Sequence, residues 1–135
     1  MLAIGLVAVC AFGTARAQQD DTIHDSDLKV LGFEKTLYPH IAMVAHVEGV
    51  VVVRVKLDDQ GHVVEAVAIS GTELLIPGCL TNARKWQFQP NSQKAAIIVY
   101  NFRLKGVCGE RESNQFILQR PNLASITACS PTVQP

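Results

Sequence analysis

The spacing of hydrophobic and polar residues changes several times between residues 37 and 106. Each change predicts where a helix or a strand begins or ends. The run Gly49–Leu57 is rich in valine and ends in apolar–polar alternation, which is typical of a β-strand. Val63–Ser70 alternates in the same way. Because Asp58–Gly61 supplies turn residues and a glycine for a positive φ, the two runs predict a β-hairpin.

Two other stretches of this region have helical spacing. Residues 37–47 contain Tyr38-Pro39 and then a short helix, and Leu74–Trp86 predicts a longer helix that starts near Pro77. One face of the longer helix is expected to be buried and carries Cys79, Ala83 and Trp86. We expect Trp86 to pack in the core rather than to bind a ligand. The polar side is expected to face solvent and carries Thr81, Asn82, Arg84 and Lys85.

A third strand and a tail with strand character complete the pattern. Ala95–Leu104 alternates, which predicts a strand with Ile98, Tyr100 and Phe102 on one face and Ile97, Val99 and Asn101 on the other. Phe116–Gln119 and Leu123–Cys129 are each predicted as a short strand. The sequence therefore predicts an α+β fold. It is a small α-β-β-α-β unit whose three-stranded antiparallel or mixed sheet is packed by helices, with an extra C-terminal strand.

The N-terminal residues have the features of an export signal. Leu2–Phe12 is apolar, is shorter than the ~20 residues that a membrane span needs, and is followed by a small-residue cleavage pattern at 15–17. We expect residues 1–17 to be a signal peptide, residues 18–36 to be a polar leader, and the protein to lie in the periplasm. No basic residue precedes the apolar run. The alternative is a start upstream of Met1, which would extend the run into an inner-membrane anchor.

Composition and motifs exclude several classes of function. Twelve basic side chains balance twelve acidic ones, so there is no basic footprint for nucleic acid. The four histidines are scattered and no cysteine pair has metal-ligand spacing, so we expect no metal and no cofactor. No nucleophile or phosphate-binding motif occurs, so we expect neither an enzyme nor a small-molecule substrate.

Three cysteines follow the predicted cleavage site. The periplasm, where we expect the protein to lie, permits disulfides. Cys79 begins the longer helix and Cys108 follows the third strand. In a right-handed β-α-β crossover these two positions lie at the same end of the sheet. This geometry favours a Cys79–Cys108 bridge, with Cys108–Cys129 or no bridge as the alternatives.

The order of these motifs resembles the C-terminal domain of TonB. The resemblance rests on Tyr38-Pro39, Glu48-Gly49, Gly61, Leu74-Leu75, Gly78-Cys79, Trp86-Gln87-Phe88-Gln89-Pro90 and the strand Val99–Leu104. It places the domain at residues 37–106 and leaves residues 107–135 as a C-terminal extension. It implies a non-enzymatic module that binds segments of outer-membrane TonB-dependent transporters and is linked to inner-membrane motor proteins.

The resemblance also implies where a partner would bind. A peptide would add to the sheet edge formed by the third strand, through main-chain hydrogen bonds. The predicted edge comprises Ala96, Ile97, Ile98, Val99, Tyr100, Asn101, Phe102 and Arg103. Tyr100 and Arg103 are the side chains expected to contribute to binding. The alternative is a stand-alone envelope scaffold whose edge is covered by its own tail.

Overall fold

Seven strands and two short helices make up the part of the chain that this computed structural model describes, residues 28–109 and 113–131. In chain order they are β1 (Val30–Gly32), α1 (His40–Val44), β2 (Gly49–Leu57), β3 (Val63–Ser70), α2 (Ile76–Ala83), β4 (Gln87–Phe88), β5 (Ala95–Val107), β6 (Asn114–Arg120) and β7 (Leu123–Ser130). The predicted signal peptide and residues 18–27 of the predicted leader lie outside the described residues. The α+β fold class is confirmed.

The predicted hairpin forms with the predicted boundaries. β2 and β3 pair in antiparallel orientation, from Leu57↔Val63 to Val52↔Ser70. The Asp58 carboxylate shapes the turn because it accepts hydrogen bonds from two backbone N–H groups within it. Gly61 has φ +86°, and a Cβ there would overlap the carbonyl oxygen of Phe88. Glycine is therefore required at this turn.

Five strands form the main sheet, in the order β3-β2-β5-β7-β6. β5 pairs with β2 in antiparallel orientation and with β7 in parallel orientation. β6 and β7 form an antiparallel hairpin at the far edge. The tail therefore adds two strands to the predicted three-stranded unit, at the positions where its sequence predicted short strands.

The core lies on the face of the sheet that α2 covers. The predicted buried face of α2 is confirmed, since Cys79 and Ala83 are fully buried. Of the two faces predicted for each strand, the one that carries Val53 on β2 and Ile98 on β5 faces this core. The aromatic rings of Trp86 and Phe88 stack within this core, with ring centroids 5.9 Å apart. The expectation that Trp86 packs in the core is therefore confirmed.

The N-terminal segment packs against this core. β1 pairs with β4 in antiparallel orientation, and Gln89 N–H donates to the Lys29 carbonyl over 2.7 Å. Leu28 is buried, although it lies in the segment predicted as a polar leader. The backbone of residues 28–32 is therefore part of the folded unit.

Candidate partner-binding site

The strand predicted as the partner-binding edge lies inside the sheet. β2 pairs with β5 from Ala95 to Phe102, and β7 pairs with the opposite side of β5 from Val99 onward. Residues 96–103 are therefore not an open edge, and that expectation is corrected. The physical reason is that the tail itself supplies a strand. Of the predicted edge residues, only Ala96, Ile97 and Ile98 precede Val99, where the pairing with β7 begins.

β7 is held by both main-chain and side-chain contacts. Val99 N–H donates to the Asn122 carbonyl over 2.7 Å, and Cys108 N–H donates to the Ser130 carbonyl over 2.8 Å. The side chains that β7 turns to the core are fully or almost fully buried and comprise Ala124, Ile126 and Ala128. The tail is thus an integral strand of the sheet.

The two side chains expected to contribute to binding have different environments. Arg103 is exposed, whereas Tyr100 is completely buried. The Tyr100 hydroxyl donates to Asn82 Oδ1 over 2.8 Å, and burial holds the pKa of this phenol far above its ordinary value. Tyr100 therefore cannot contact a partner in this structure. The other predicted residues divide by face, with Ile98 and Phe102 in the core and Ile97, Val99 and Asn101 half-buried on the opposite side.

The predicted exposure of Asn82 is wrong. Asn82 was expected to face solvent, but only 5% of its surface is exposed. Its Oδ1 accepts hydrogen bonds from Trp86 Nε1–H and the Tyr100 hydroxyl, each over 2.8 Å. Its Nδ2–H donates to the Glu34 carbonyl over 2.8 Å. Asn82 therefore ties α2 to β5 and to the N-terminal segment, and the i,i+4 spacing to Trp86 was the signal in the sequence.

The predicted Cys79–Cys108 disulfide is wrong. Cys108 is bonded to Cys129 instead, with the two Cα atoms 4.9 Å apart. The parallel pairing brings the end of β7 beside the residues that follow β5, which sequence spacing alone could not show. Cys79 is a free, fully buried thiol, and burial raises its pKa to about 12.

The motif residues at the start of the domain hold the fold together. The Tyr38 hydroxyl donates to the Val47 carbonyl, and the Tyr38 ring packs edge-on against Phe102 with centroids 5.3 Å apart. Burial, followed by the charge of Glu48, raises the Tyr38 pKa to about 12. Glu48 Oε1 accepts a hydrogen bond from Leu104 N–H over 2.7 Å, which links the start of β2 to β5.

The remaining motif residues also have structural positions. Pro39 and Leu75 occupy the N-cap positions of α1 and α2, and Leu75 is fully buried. Gly49 opens β2, and Pro90 follows β4 on the surface. These residues build the scaffold that positions β5 rather than a chemical site.

The described residues contain no arrangement suited to catalysis by a metal. No group of three or more His, Cys, Asp or Glu side chains that could hold a metal ion occurs among them. His62, in the hairpin turn, is exposed, and its Nδ1 lies 3.6 Å from the Asp58 carboxylate. Among residues 28–109 and 113–131, no helix is long and apolar enough to cross a bilayer.

Part of the chain is similar to known proteins. Residues 34–104 match the family model described as Gram-negative bacterial TonB protein C-terminal. Among solved structures, the chain is similar to the solution structure of the Pseudomonas aeruginosa TonB C-terminal domain, at 21% identity and a TM-score of 0.49. That match covers 62% of this chain and 92% of the other. No curated protein matches the chain.

Proposed function

Since the chain belongs to the TonB C-terminal domain family, we propose that it is a protein-binding module of the cell envelope whose docking strand, β5, is covered by its own tail. The family supports a role in transport through protein interaction. The observation that carries the proposal is the pairing of β7 with Val99–Leu104 of β5, in the place where an added strand would lie.

The partners proposed are periplasmic segments of outer-membrane TonB-dependent transporters, and the compartment proposed is the periplasm. Such a segment would pair with β5 by main-chain hydrogen bonds. The main-chain groups of Val99 and Cys108 that now bond β7 would be available to it. A role for inner-membrane motor proteins belongs to the same proposal.

Binding at β5 requires that β7 leave. The apparent affinity of a segment then falls by the fraction of molecules in which β5 is free. The Cys108–Cys129 disulfide spans 21 residues of sequence, and a loop of this size contributes about 3 kcal/mol of stability in the chain-entropy estimate. Because 1.4 kcal/mol corresponds to a factor of ten, opening the disulfide can raise the affinity by up to about 100-fold.

The test is a titration of the 18–135 chain with peptides from the periplasmic N-terminal segments of outer-membrane transporters. Three forms are compared: the oxidised chain, the Cys108→Ser/Cys129→Ser variant, and a chain ending at residue 106 whose fold is checked by circular dichroism. Two-dimensional NMR of the ¹⁵N-labelled protein locates the site. We expect weak binding by the oxidised chain and tighter binding by the double variant, with shifts at Val99–Leu104.

A matched control keeps the disulfide and removes the other thiol. Cys79→Ala should bind as the oxidised chain does, because Cys79 lies on α2 and outside the β5–β7 pairing. Equal affinity in the oxidised and double-variant forms, or shifts away from β5, would show that segments do not dock at the strand that β7 covers.

The second candidate function is a stand-alone envelope scaffold. It is favoured by the same disulfide, which closes the tail against the end of β5, and by the buried side chains of β7. In this case none of the three forms binds transporter segments, although all of them remain folded. The titration therefore distinguishes the two candidates.

A further inference from the structure

β6 is an edge of the main sheet, and half of its main-chain groups point away from β7. Cys129 N–H donates to the Ser113 carbonyl, which marks the odd-numbered pairs of the β6–β7 ladder as the hydrogen-bonded ones. The pairs Gln115↔Thr127 and Ile117↔Ser125 follow in this alternation. The N–H and C=O groups of residues 114, 116 and 118 therefore point outward. No other described strand pairs with that side.

A groove of about 280 Å³ lies beside the first half of this edge. It is lined by Lys35, Thr36, Leu37, Asn114, Gln115 and Phe116. The N-terminal wall is fixed in place, because Tyr38 N–H donates to Asn114 Oδ1 over 2.9 Å. The ring of Phe33 stacks on that of Phe116, with centroids 5.8 Å apart. Leu37 forms an apolar part of the rim of this groove, with 71% of its surface exposed.

The basic side chains of this surface favour the binding of an acidic segment. Lys35 lies in the groove wall and Arg120 ends β6, whereas residues 114–120 contain no acidic side chain. Glu34 is engaged elsewhere, in an ion pair with Lys85 at 3.2 Å. A complementary segment would be extended, would present apolar side chains to Leu37 and Phe116, and would carry acidic side chains.

We propose that the open edge of β6, together with this groove, binds an extended, acidic segment of another protein by strand addition. The β6 edge lies in the tail, outside the residues 34–104 that match the family, whereas the groove wall at Lys35–Leu37 lies within them. Binding at this site does not require β7 to leave β5. It therefore uses the state in which β7 stays on β5, whereas docking at β5 uses the state in which β7 has left. Strand addition supplies main-chain hydrogen bonds, and the groove supplies selectivity.

The other edge of the sheet is less suited to such a partner. The β2–β3 ladder has register shifts near both ends, between Val52 and Val53 and between Lys56 and Leu57. Such irregularities blunt an edge against pairing. The β6 ladder is regular from Asn114 to Leu118.

The test uses the oxidised 18–135 chain and a nine-residue synthetic peptide that alternates valine with glutamate and threonine. Binding is followed by two-dimensional NMR of the ¹⁵N-labelled protein. We expect shifts at Asn114–Leu118 and at Lys35–Leu37, with β5 unchanged. Two N-methylated peptides, each blocking one alternate set of amides, separate strand pairing from simple charge attraction. One set should abolish binding and the other should leave it nearly unchanged.

Charge reversal provides the matched pair of variants. Lys35→Glu should weaken binding about two- to tenfold, as expected for loss of an exposed charge contact and its replacement by repulsion. Arg54→Glu makes the same change in net charge on β2, away from the groove, and should leave the affinity unchanged. Leu37→Ser, at an exposed position, should weaken binding without loss of stability.

Four results would overturn the proposal: equal binding of both N-methylated peptides, equal binding of a peptide with lysine in place of glutamate, shifts confined to β3 or β5, or no binding at millimolar peptide. Concentration-dependent dimerisation through β6, seen by light scattering in the absence of peptide, would assign the edge to a second copy of the chain and would also overturn it.

Discussion

Asn82→Leu is predicted to destabilise the fold strongly. Leucine branches at the same carbon as asparagine and is larger, so the change removes hydrogen bonds and opens no cavity. Trp86 Nε1–H and the Tyr100 hydroxyl then lose their shared acceptor while each residue is at most 1% exposed. A buried donor left unpaired costs about 1–3 kcal/mol, so the two together predict a loss of about 4 kcal/mol. Small domains have only about 5–15 kcal/mol of stability in total.

The assay is urea unfolding at neutral pH, followed by the fluorescence of Trp86, the chain's single tryptophan. The control is the same change in a Tyr100→Phe background, where one of the two unpaired donors no longer exists. There, Asn82→Leu should cost about 1–3 kcal/mol less than in the natural chain. A loss below about 1 kcal/mol, or an equal loss in both backgrounds, would refute the claim that unpaired donors cause the effect.

Three further predictions concern titration and the cysteines. The Cys79 thiol, fully buried with its pKa raised to about 12, should react with a thiol reagent at pH 8 only at the rate of unfolding, and labelling of the native protein at the rate of a surface thiol would contradict this. The Tyr38 pKa is raised from 10.0 to about 12, so its neutral form is favoured in the fold. The stability that Tyr38 itself contributes should be intact below pH 10 and be lost as the pH rises through about 12, in a range where ionisation of the buried Cys79 and Tyr100 groups also destabilises the fold. Tyr38→Phe should flatten this part of the profile, and a profile that it leaves unchanged would exclude Tyr38 as the cause. Reduction of Cys108–Cys129 should lower the free energy of unfolding by about 3 kcal/mol in urea titrations with and without reductant, and an unchanged midpoint would show that the bridge adds nothing.

Local chemistry explains which elements the sequence predicted well. The β2–β3 hairpin follows from period-two alternation on both sides of a turn that requires Gly61, and all of this information lies within 22 residues. α2 was predicted too long, since Leu74–Trp86 shortens to Ile76–Ala83. β5 was predicted too short, since it continues to Val107.

The errors concern contacts between distant residues. Alternation identified the tail strands, but it does not specify a strand's neighbours, so the sequence offered the covering of β5 by the tail only as the alternative. The pairing of Cys108 with Cys129 follows from the same parallel register and was an alternative rather than the favoured bridge for the same reason. β1 and β4 have only three and two residues, too few for any period to be visible. Asn82 was misplaced because its three hydrogen-bond partners lie on three separate parts of the chain.

The parallel orientation of β7 has a consequence for the order in which the protein is assembled. A strand cannot return parallel to β5 through a tight turn, so the chain must first travel outward through β6 and only then come back beside β5. Val99 meets Leu123 across 24 residues, and Cys129 is among the last described residues to leave the ribosome or an export channel. Until β7 has been made, β5 lacks the strand that covers its outer side. We expect each newly made molecule to present this strand until β7 pairs with it, and the Cys108–Cys129 bond then to hold β7 in place.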